Sequence, residues 1–262
     1  MEVWSSGNRY ELYIGRWSRS VAREFLAWLN IHSSRYWLDL GCGTGALSRA
    51  ILELASPELV AGIDASKDYV AYARQQVSDD RLDFHTGDAQ QLPYKARCFD
   101  AAVSGLVLNF LPQSMQALSE VCRVVHPGGT VAIYVWDYAG DMQLIRYFWD
   151  AAVELDPSAS ALDEGRRFPI CHPESLEQAF LESGLAEVEV RAIDVPTVFN
   201  DFTDYWSPFL GGQGPAPGYT MSLSEERRFD LSEKVRARLP VSSDGSIHLK
   251  ARAWAARGRV EQ

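Results

Sequence analysis

The chain has 262 residues, 47% of them hydrophobic, which is enough for one sizeable core with an inserted cap and too apolar for a disordered chain. Its 25 basic and 35 acidic residues leave a formal charge of −10, which disfavours phosphate neutralisation, so no nucleic-acid partner is expected. No apolar run reaches the roughly 18 residues of a membrane span, the N-terminus lacks a basic-then-apolar leader, and Cys42, Cys98, Cys122 and Cys171 have no metal-ligand spacing. The expectation is a cytoplasmic protein without a metal or a membrane partner.

In chain order, residues 1–17 are aromatic, with Trp4, Tyr10, Tyr13 and Trp17. A helical pattern from Ser18 puts Val21, Phe25, Trp28 and Leu29 on one face. Tyr36–Leu40 reads as a first strand, almost wholly apolar and so suited to a sheet covered on both faces. A helix opens behind Gly45. Leu59–Asp64 is a second strand, followed by a Ser66-capped helix over 67–76. Leu82–Asp88 is a third strand and Phe99–Leu106 a fourth. A helix over 113–125 is broken by His126-Pro127-Gly128-Gly129, and Thr130–Trp136 is a fifth strand. Alternating strands and helices imply a doubly wound α/β sheet, whose ligands bind beyond the C-terminal strand ends. Asp39, Asp64, Asp88 and Ser104 fall at that edge.

Beyond Asp137 the reading is a helix over 144–155, a helix opened by Pro173, a strand over 185–193, a helix over 224–239 and a last strand over 247–255. The whole chain, 1–262, is read as one domain. Residues 1–30 are taken as a lid, and 138–170 and 194–223 as insertions capping the sheet edge. The aromatic segment containing Phe199, Phe202, Tyr205, Trp206 and Phe209 reads either as a lining for an apolar ligand or as packing against the sheet.

The stretch Trp37-Leu38-Asp39-Leu40-Gly41-Cys42-Gly43-Thr44-Gly45 organises the rest. Its alternating glycines allow a tight turn and close approach of a ligand to backbone. Asp64, ending the next strand, can accept bonds from both hydroxyls of a ribose. Gly41–Ala46 also fits a dinucleotide fingerprint, which leaves an NAD(P)-dependent oxidoreductase as an alternative. Asp39 argues against it, because a carboxylate there repels a pyrophosphate and favours an amino group or a sulfonium.

These residues resemble the first motif of the class I S-adenosylmethionine-dependent methyltransferases, small-molecule group. The resemblance extends to Gly62-Ile63-Asp64-Ala65-Ser66, Gly87-Asp88-Ala89, Phe99–Ser104, Arg123–Gly129 and the opening Tyr13-Ile14-Gly15-Arg16-Trp17-Ser18. It implies a Rossmann-like, seven-stranded mixed sheet with the last strand antiparallel and helical cap insertions. Within it, Gly41, Cys42 and Gly43 would hold the methionine end of the cofactor beside Asp39. Asp64, with Ala65 and Ser66, would hold the ribose, and Asp88 with Ala89 the adenine. Ser104 would complete the floor. Tyr13, Arg16 and Trp17 would close over the cofactor, Arg16 or Arg19 meeting its carboxylate.

The reaction implied is in-line methyl transfer from S-adenosyl-L-methionine, leaving S-adenosyl-L-homocysteine, to a small apolar or aromatic acceptor. A cofactor-binding protein without transfer activity is a second alternative. His172 is the candidate general base, and Tyr13 and Tyr138 the candidate catalytic phenols. Tyr10, Tyr134 and Trp136 are further candidates for the acceptor pocket, and Asp137 is paired with Tyr138 at the strand end. No Asn/Asp-Pro-Pro-Tyr/Phe signature follows the fourth strand, where Ser104-Gly105-Leu106-Val107 stands instead. A monomer or homodimer is expected.

Overall fold

The apolar runs of the first half become the centre of a seven-stranded sheet. In the computed structural model, which describes residues 15–211 and 214–261, the strands are β1 (Tyr36–Leu40), β2 (Leu59–Asp64), β3 (Leu82–Thr86), β4 (Phe99–Gly105), β5 (Val125–Trp136), β6 (Leu185–Phe199) and β7 (Ile247–Val260). Their order is β3-β2-β1-β4-β5-β7-β6, with the last strand antiparallel. The pairs β1–β2, β1–β4, β2–β3 and β4–β5 are parallel. Sequence order reverses between β1 and β4, so the crevice of a doubly wound sheet opens at the C-terminal end of β1. Trp37, Leu38 and Leu40 of β1 and every residue from Val131 to Trp136 of β5 are buried, as strands covered on both faces must be.

The helices, numbered in chain order, include α1 (Arg16–Leu29), α2 (Ala46–Ala55), α3 (Lys67–Gln76), α4 (Ser114–Val124), α5 (Gln143–Leu155), α6 (Glu164–Arg167) and α7 (Pro173–Glu182). After them come α8 (Phe202–Trp206), α9 (Pro215–Ser222) and α10 (Glu225–Arg236). On α1, Val21, Phe25 and Leu29 are buried. Trp28 is half-buried, and the Arg257 guanidinium lies 4.7 Å from its ring centre. Ser66 caps α3 by accepting from Tyr69 N, as its sequence position predicts.

As in the sequence reading, no helix joins β3 to β4; residues 87–98 cross as turns and bends. This crossing is fastened by one turn of α4. Glu120 accepts from Leu92 N at 2.8 Å, and Arg123 donates to the carbonyls of Tyr94 and Leu92 at 2.9 and 3.1 Å. β3 stops at Thr86, so Asp88 lies in the loop beyond it and not on the strand. β5 begins at Val125, because His126–Gly129 forms a bulge inside the strand. Register runs Phe99↔Val125 and then Ala101↔Thr130, and Gly128 takes a φ of +77°. β6 and β7 run on to Phe199 and Val260, so residues 194–199 are strand.

The chain divides into two compact units. One comprises residues 18–135, 170–193 and 253–262 and contains the glycine turn. The other comprises 1–17, 136–169 and 194–252. Its core is aromatic: Phe148 and Phe209 stack at 4.6 Å, Phe199 meets Tyr205 edge-on at 5.3 Å, and Tyr205 Oη donates to the Leu144 carbonyl at 2.8 Å. Phe148, Trp149, Phe199, Tyr205 and Phe209 are all buried. Phe199, Tyr205 and Phe209 of the aromatic segment are therefore core packing, while Phe202 and Trp206 are half-buried. No described helix is long and apolar enough to cross a membrane.

Candidate functional site

The glycine turn is held by its own backbone. Gly41 N and Cys42 N both donate to the Ile63 carbonyl, at 2.7 and 3.0 Å, and Gly45 N donates to the Cys42 carbonyl at 2.8 Å. Gly41 has φ +71°, and a side chain there would drive into Val107, 2.5 Å from the nearest methyl. Gly45, at φ +83°, faces Phe84 and Ala73, so its lack of a side chain lets α3 and β3 pack close to the turn. Among the described residues, only the Gly41 carbonyl lies within 4 Å of where a Gly43 Cβ would stand. Gly43 thus leaves room for a ligand.

Asp64 ends β2 and clamps this turn. Its Oδ2 accepts from Gly43 N at 3.0 Å and its Oδ1 from Ser66 N at 2.8 Å. Burial raises its pKa, and these two backbone bonds oppose the rise. Each oxygen keeps a second lone pair for a ligand hydroxyl.

Asp39 is the more unusual carboxylate. It is 1% exposed. Ser48 Oγ donates to its Oδ2 at 2.5 Å, and the Ser48 backbone bonds it as well. A side chain from β1 thus caps the start of α2, where Gly45 supplies no side-chain cap. Its Oδ1 is buried and has no partner among the described residues. Burial, chiefly, lifts its pKa to about 7, with Ser48 opposing and the Asp64 charge adding to the rise.

The remaining expected residues separate. Cys42 points away from the open side and packs with Val70, Ala73 and Phe84; burial pushes its thiol pKa up. Ser104 is buried and spends its hydroxyl on the Leu40 carbonyl at 2.8 Å, tying β4 to β1 where the turn begins. Ala65 is exposed beside Asp64, and Ala89 is buried beside Asp88. Asp88 is exposed and accepts from Gln90 N at 2.8 Å. Trp17 stacks edge-on against Phe199 at 5.6 Å, within the aromatic unit. Tyr10 and Tyr13 lie outside the described residues, and of Arg16 only its place at the head of α1 is described.

Tyr138 belongs to the aromatic unit, buried with Phe168 5.9 Å from its ring. Asp137 beside it is a turn former, accepting from Gly140 N and Asp141 N. Tyr134 and Trp136 are buried core side chains, Tyr134 packing on Phe25 at 4.8 Å. His172 sits half-buried at the N-cap of α7 without a side-chain capping bond. His85 pairs with Asp83 on the exposed side of β3, and His126 is exposed in the β5 bulge.

One residue escaped the sequence reading. Asn109, in the 3-10 turn Leu108–Phe110 after β4, is 9% exposed, and among the described residues neither its amide nitrogen nor its oxygen has a partner. The signal for it was a single polar residue inside Leu106-Val107-Leu108-Asn109-Phe110-Leu111, at a strand exit.

The donors of the turn bear on which nucleotide it suits. Gly41, Cys42, Gly43 and Gly45 all direct their N–H groups inward, and the Asp39 carboxylate takes the Ser48 bonds at the start of α2. A pyrophosphate needs those donors outward and no anion beside them. The set fits a cationic amino group and a ribose, and the resemblance to a dinucleotide site ends at the glycine spacing.

Residues 38–133 match the methyltransferase domain family. The demethylmenaquinone methyltransferase of Lactiplantibacillus plantarum is 34% identical over 136 residues, which cover 50% of this chain and 57% of that protein. The sterol 24-C-methyltransferase of Debaryomyces hansenii is 31% identical over 212 residues, covering 79% of this chain and 52% of that one. The chain spans about half the length of the curated relatives it matches. A phosphoethanolamine N-methyltransferase from Haemonchus contortus, solved with S-adenosyl-L-methionine, superposes with a TM-score of 0.59 at 17% identity, over 97% of this chain and 56% of that one; at that identity the likeness is one of fold. Residues 38–133 thus match the methyltransferase domain family, and the seven-stranded sheet that carries them is Rossmann-like, as in the solved methyltransferases that superpose on it.

Proposed function

We propose that the protein transfers a methyl group from S-adenosyl-L-methionine to a small, apolar or aromatic acceptor. The observation that carries this is the pair of carboxylates at the glycine turn. Asp64 is oriented by Gly43 N and Ser66 N with lone pairs to spare for ribose hydroxyls, and Asp39 is buried with one oxygen unanswered, a place for a cation.

When bound, the cofactor supplies a methyl carbon on a positively charged sulfur, open to in-line displacement. This chain's residues do the rest. Asp64 holds the ribose, and Asp88, in the loop after β3, faces the adenine amine. Asp39 balances the ammonium of the amino-acid end. Gly43 leaves the space above the turn, and Val107 walls its flank at Gly41. Because the carboxylates bind the ribose and ammonium rather than the sulfur, they do not oppose the loss of positive charge there during transfer. His172 serves as base where the acceptor must lose a proton. The curated relatives named for demethylmenaquinone and sterol support an acceptor that is largely apolar.

Calorimetric titration with S-adenosylmethionine and, separately, with NAD tests this. Saturable binding of the sulfonium compound is expected, weakened by Asp64→Ala by at least about 1 kcal/mol, the scale of a lost charged hydrogen bond. Binding of NAD without binding of S-adenosylmethionine would overturn it. Label from a methyl-labelled cofactor should then appear in a small molecule of a cell metabolite extract; label in no product would favour a binder without transfer activity.

A further inference from the structure

Asn109 is an expensive residue to leave as it stands. A buried carboxamide with neither donor nor acceptor satisfied loses its hydration and gains nothing in exchange. Its chain neighbours Leu106 and Leu108 are buried and apolar, and among the described residues no group bonds the amide. Such groups call for a partner that the folded chain alone does not supply.

Its position says on which side of the site that partner lies. β4 pairs with β1 in parallel, Asp39 opposite Val103, so the turn after β4 stands at the same sheet edge as the glycine turn. β2 and β3, with Asp64 and the loop of Asp88, lie on the other side of β1. The nucleoside half of the cofactor is therefore provided for away from β4, and its ammonium by the unanswered Asp39 oxygen. Val107 flanks Gly41, and Asn109 follows one turn further along, past the groups that hold the cofactor.

We infer that Asn109 is the residue that orients the acceptor, by binding a hydroxyl group on an otherwise apolar or aromatic molecule. This rests on the methyltransferase reading above. A carboxamide presents one donor and one acceptor side by side, and a hydroxyl is the simplest group that takes one bond and gives one. A single polar point in an apolar wall is also how a pocket selects one orientation of an apolar ligand. Asn109 carries no proton in this scheme; it is a positioning residue.

The test uses the full chain saturated with S-adenosylhomocysteine and two probes of nearly equal shape, 1-naphthol and naphthalene. The wild type should bind 1-naphthol at least about tenfold more tightly, because a site built to bond a hydroxyl penalises its absence. Asn109→Leu, close in volume and apolar, should bring the two affinities together and leave that for S-adenosylhomocysteine unchanged within about twofold. In the wild type, the Asn109 side-chain amide resonances should shift with 1-naphthol and stay in place with naphthalene, a readout that needs no variant. A wild type that does not distinguish the probes, or a preference that survives Asn109→Leu, would overturn the inference. So would a tenfold loss of S-adenosylhomocysteine affinity in that variant, which would assign the amide to the cofactor. Failure of the wild type to bind S-adenosylhomocysteine at all would instead remove the methyltransferase reading itself.

Discussion

Asp39→Asn should make the ligand-free protein more stable and a poorer binder of its cofactor. In the fold, Asp39 holds its proton up to about pH 7, against an ordinary value of 3.8. Below 3.8 both folded and unfolded chains carry the proton and the residue is neutral to stability. Between 3.8 and about 7 the unfolded chain has released it and the folded chain has not, so the folded state binds one proton more and stability falls as pH rises. Above about 7 the penalty is complete. At about 1.4 kcal/mol per pH unit, the span amounts to roughly 4 kcal/mol. Asparagine keeps an oxygen for the Ser48 hydroxyl and carries no charge to desolvate. Urea unfolding at pH 5 and pH 8 should show the variant ahead of wild type by about 2 kcal/mol at the lower pH and by about 4 at the higher. Over the same range, affinity for S-adenosylmethionine should rise with pH in the wild type, because the carboxylate must ionise to face an ammonium. The rise should be absent in the variant, which binds more weakly throughout. A stability difference that does not grow between pH 5 and pH 8, or a variant less stable than wild type at pH 8, would refute the reasoning.

Two other substitutions probe the frame around the site. Gly41→Ala places a methyl against Val107 in a backbone of positive φ and should cost about 1–3 kcal/mol in urea unfolding, with cofactor affinity falling alongside; an unchanged midpoint would show that the turn yields easily. Phe148→Ala removes the ring stacked on Phe209 and should cost about 3–5 kcal/mol, a loss visible as a lower melting temperature. A loss under about 1 kcal/mol would mean that the aromatic unit is loosely packed.

Much of the sheet was legible because its strands bury both faces and therefore read as unbroken apolar runs. The strand ends at Leu40 and Asp64 stand where the runs stop. Asp64 could be assigned to its edge from spacing alone, since a strand, a turn and a helix leave little freedom before the next strand end. The boundaries of β5, β6 and β7 were less legible, for different reasons. His126-Pro127-Gly128-Gly129 has the composition of a helix stop, yet it is absorbed as a bulge because β4 pairs on both sides of it. β6 keeps its alternation past Asp194 and Pro196, with Val195, Thr197 and Phe199 buried, although proline and aspartate in the sequence read as a strand end, whereas β7 runs on beyond Ala255 and Ala256, which are buried in succession.

The site was legible in its carboxylates and illegible in their surroundings. Nothing in Leu38-Asp39-Leu40 announces that Ser48 will reach back to the aspartate, because that contact depends on how α2 packs on β1. Ser104 looked like a ligand contact and is occupied by Leu40; a hydroxyl at a strand end can turn inward or outward, and spacing does not choose. Aromatic residues at 199–209 carried the same ambiguity, and packing against Phe148 resolved it toward the core. Asn109 left a signal, one amide in an apolar hexapeptide, whose weight appears only when the fold leaves it without a partner.

The helix-free crossing from β3 to β4 has a consequence for how this site could change. Most segments in a doubly wound sheet are braced by their own helix, so a longer or shorter connection disturbs the layer it belongs to. Residues 87–98 are instead pinned from α4 and its N-cap: Glu120 and Arg123 hold Leu92 and Tyr94, and Gln113 N and the Gln116 amide hold Gln90. The loop that carries Asp88 is thus an appendage on a fixed hook. Its composition ahead of Gln90 can drift without unsettling the layers beneath, provided these hooking residues stay. Under the function proposed above this is the adenine side of the site, and α4 is where its tolerance to remodelling is set.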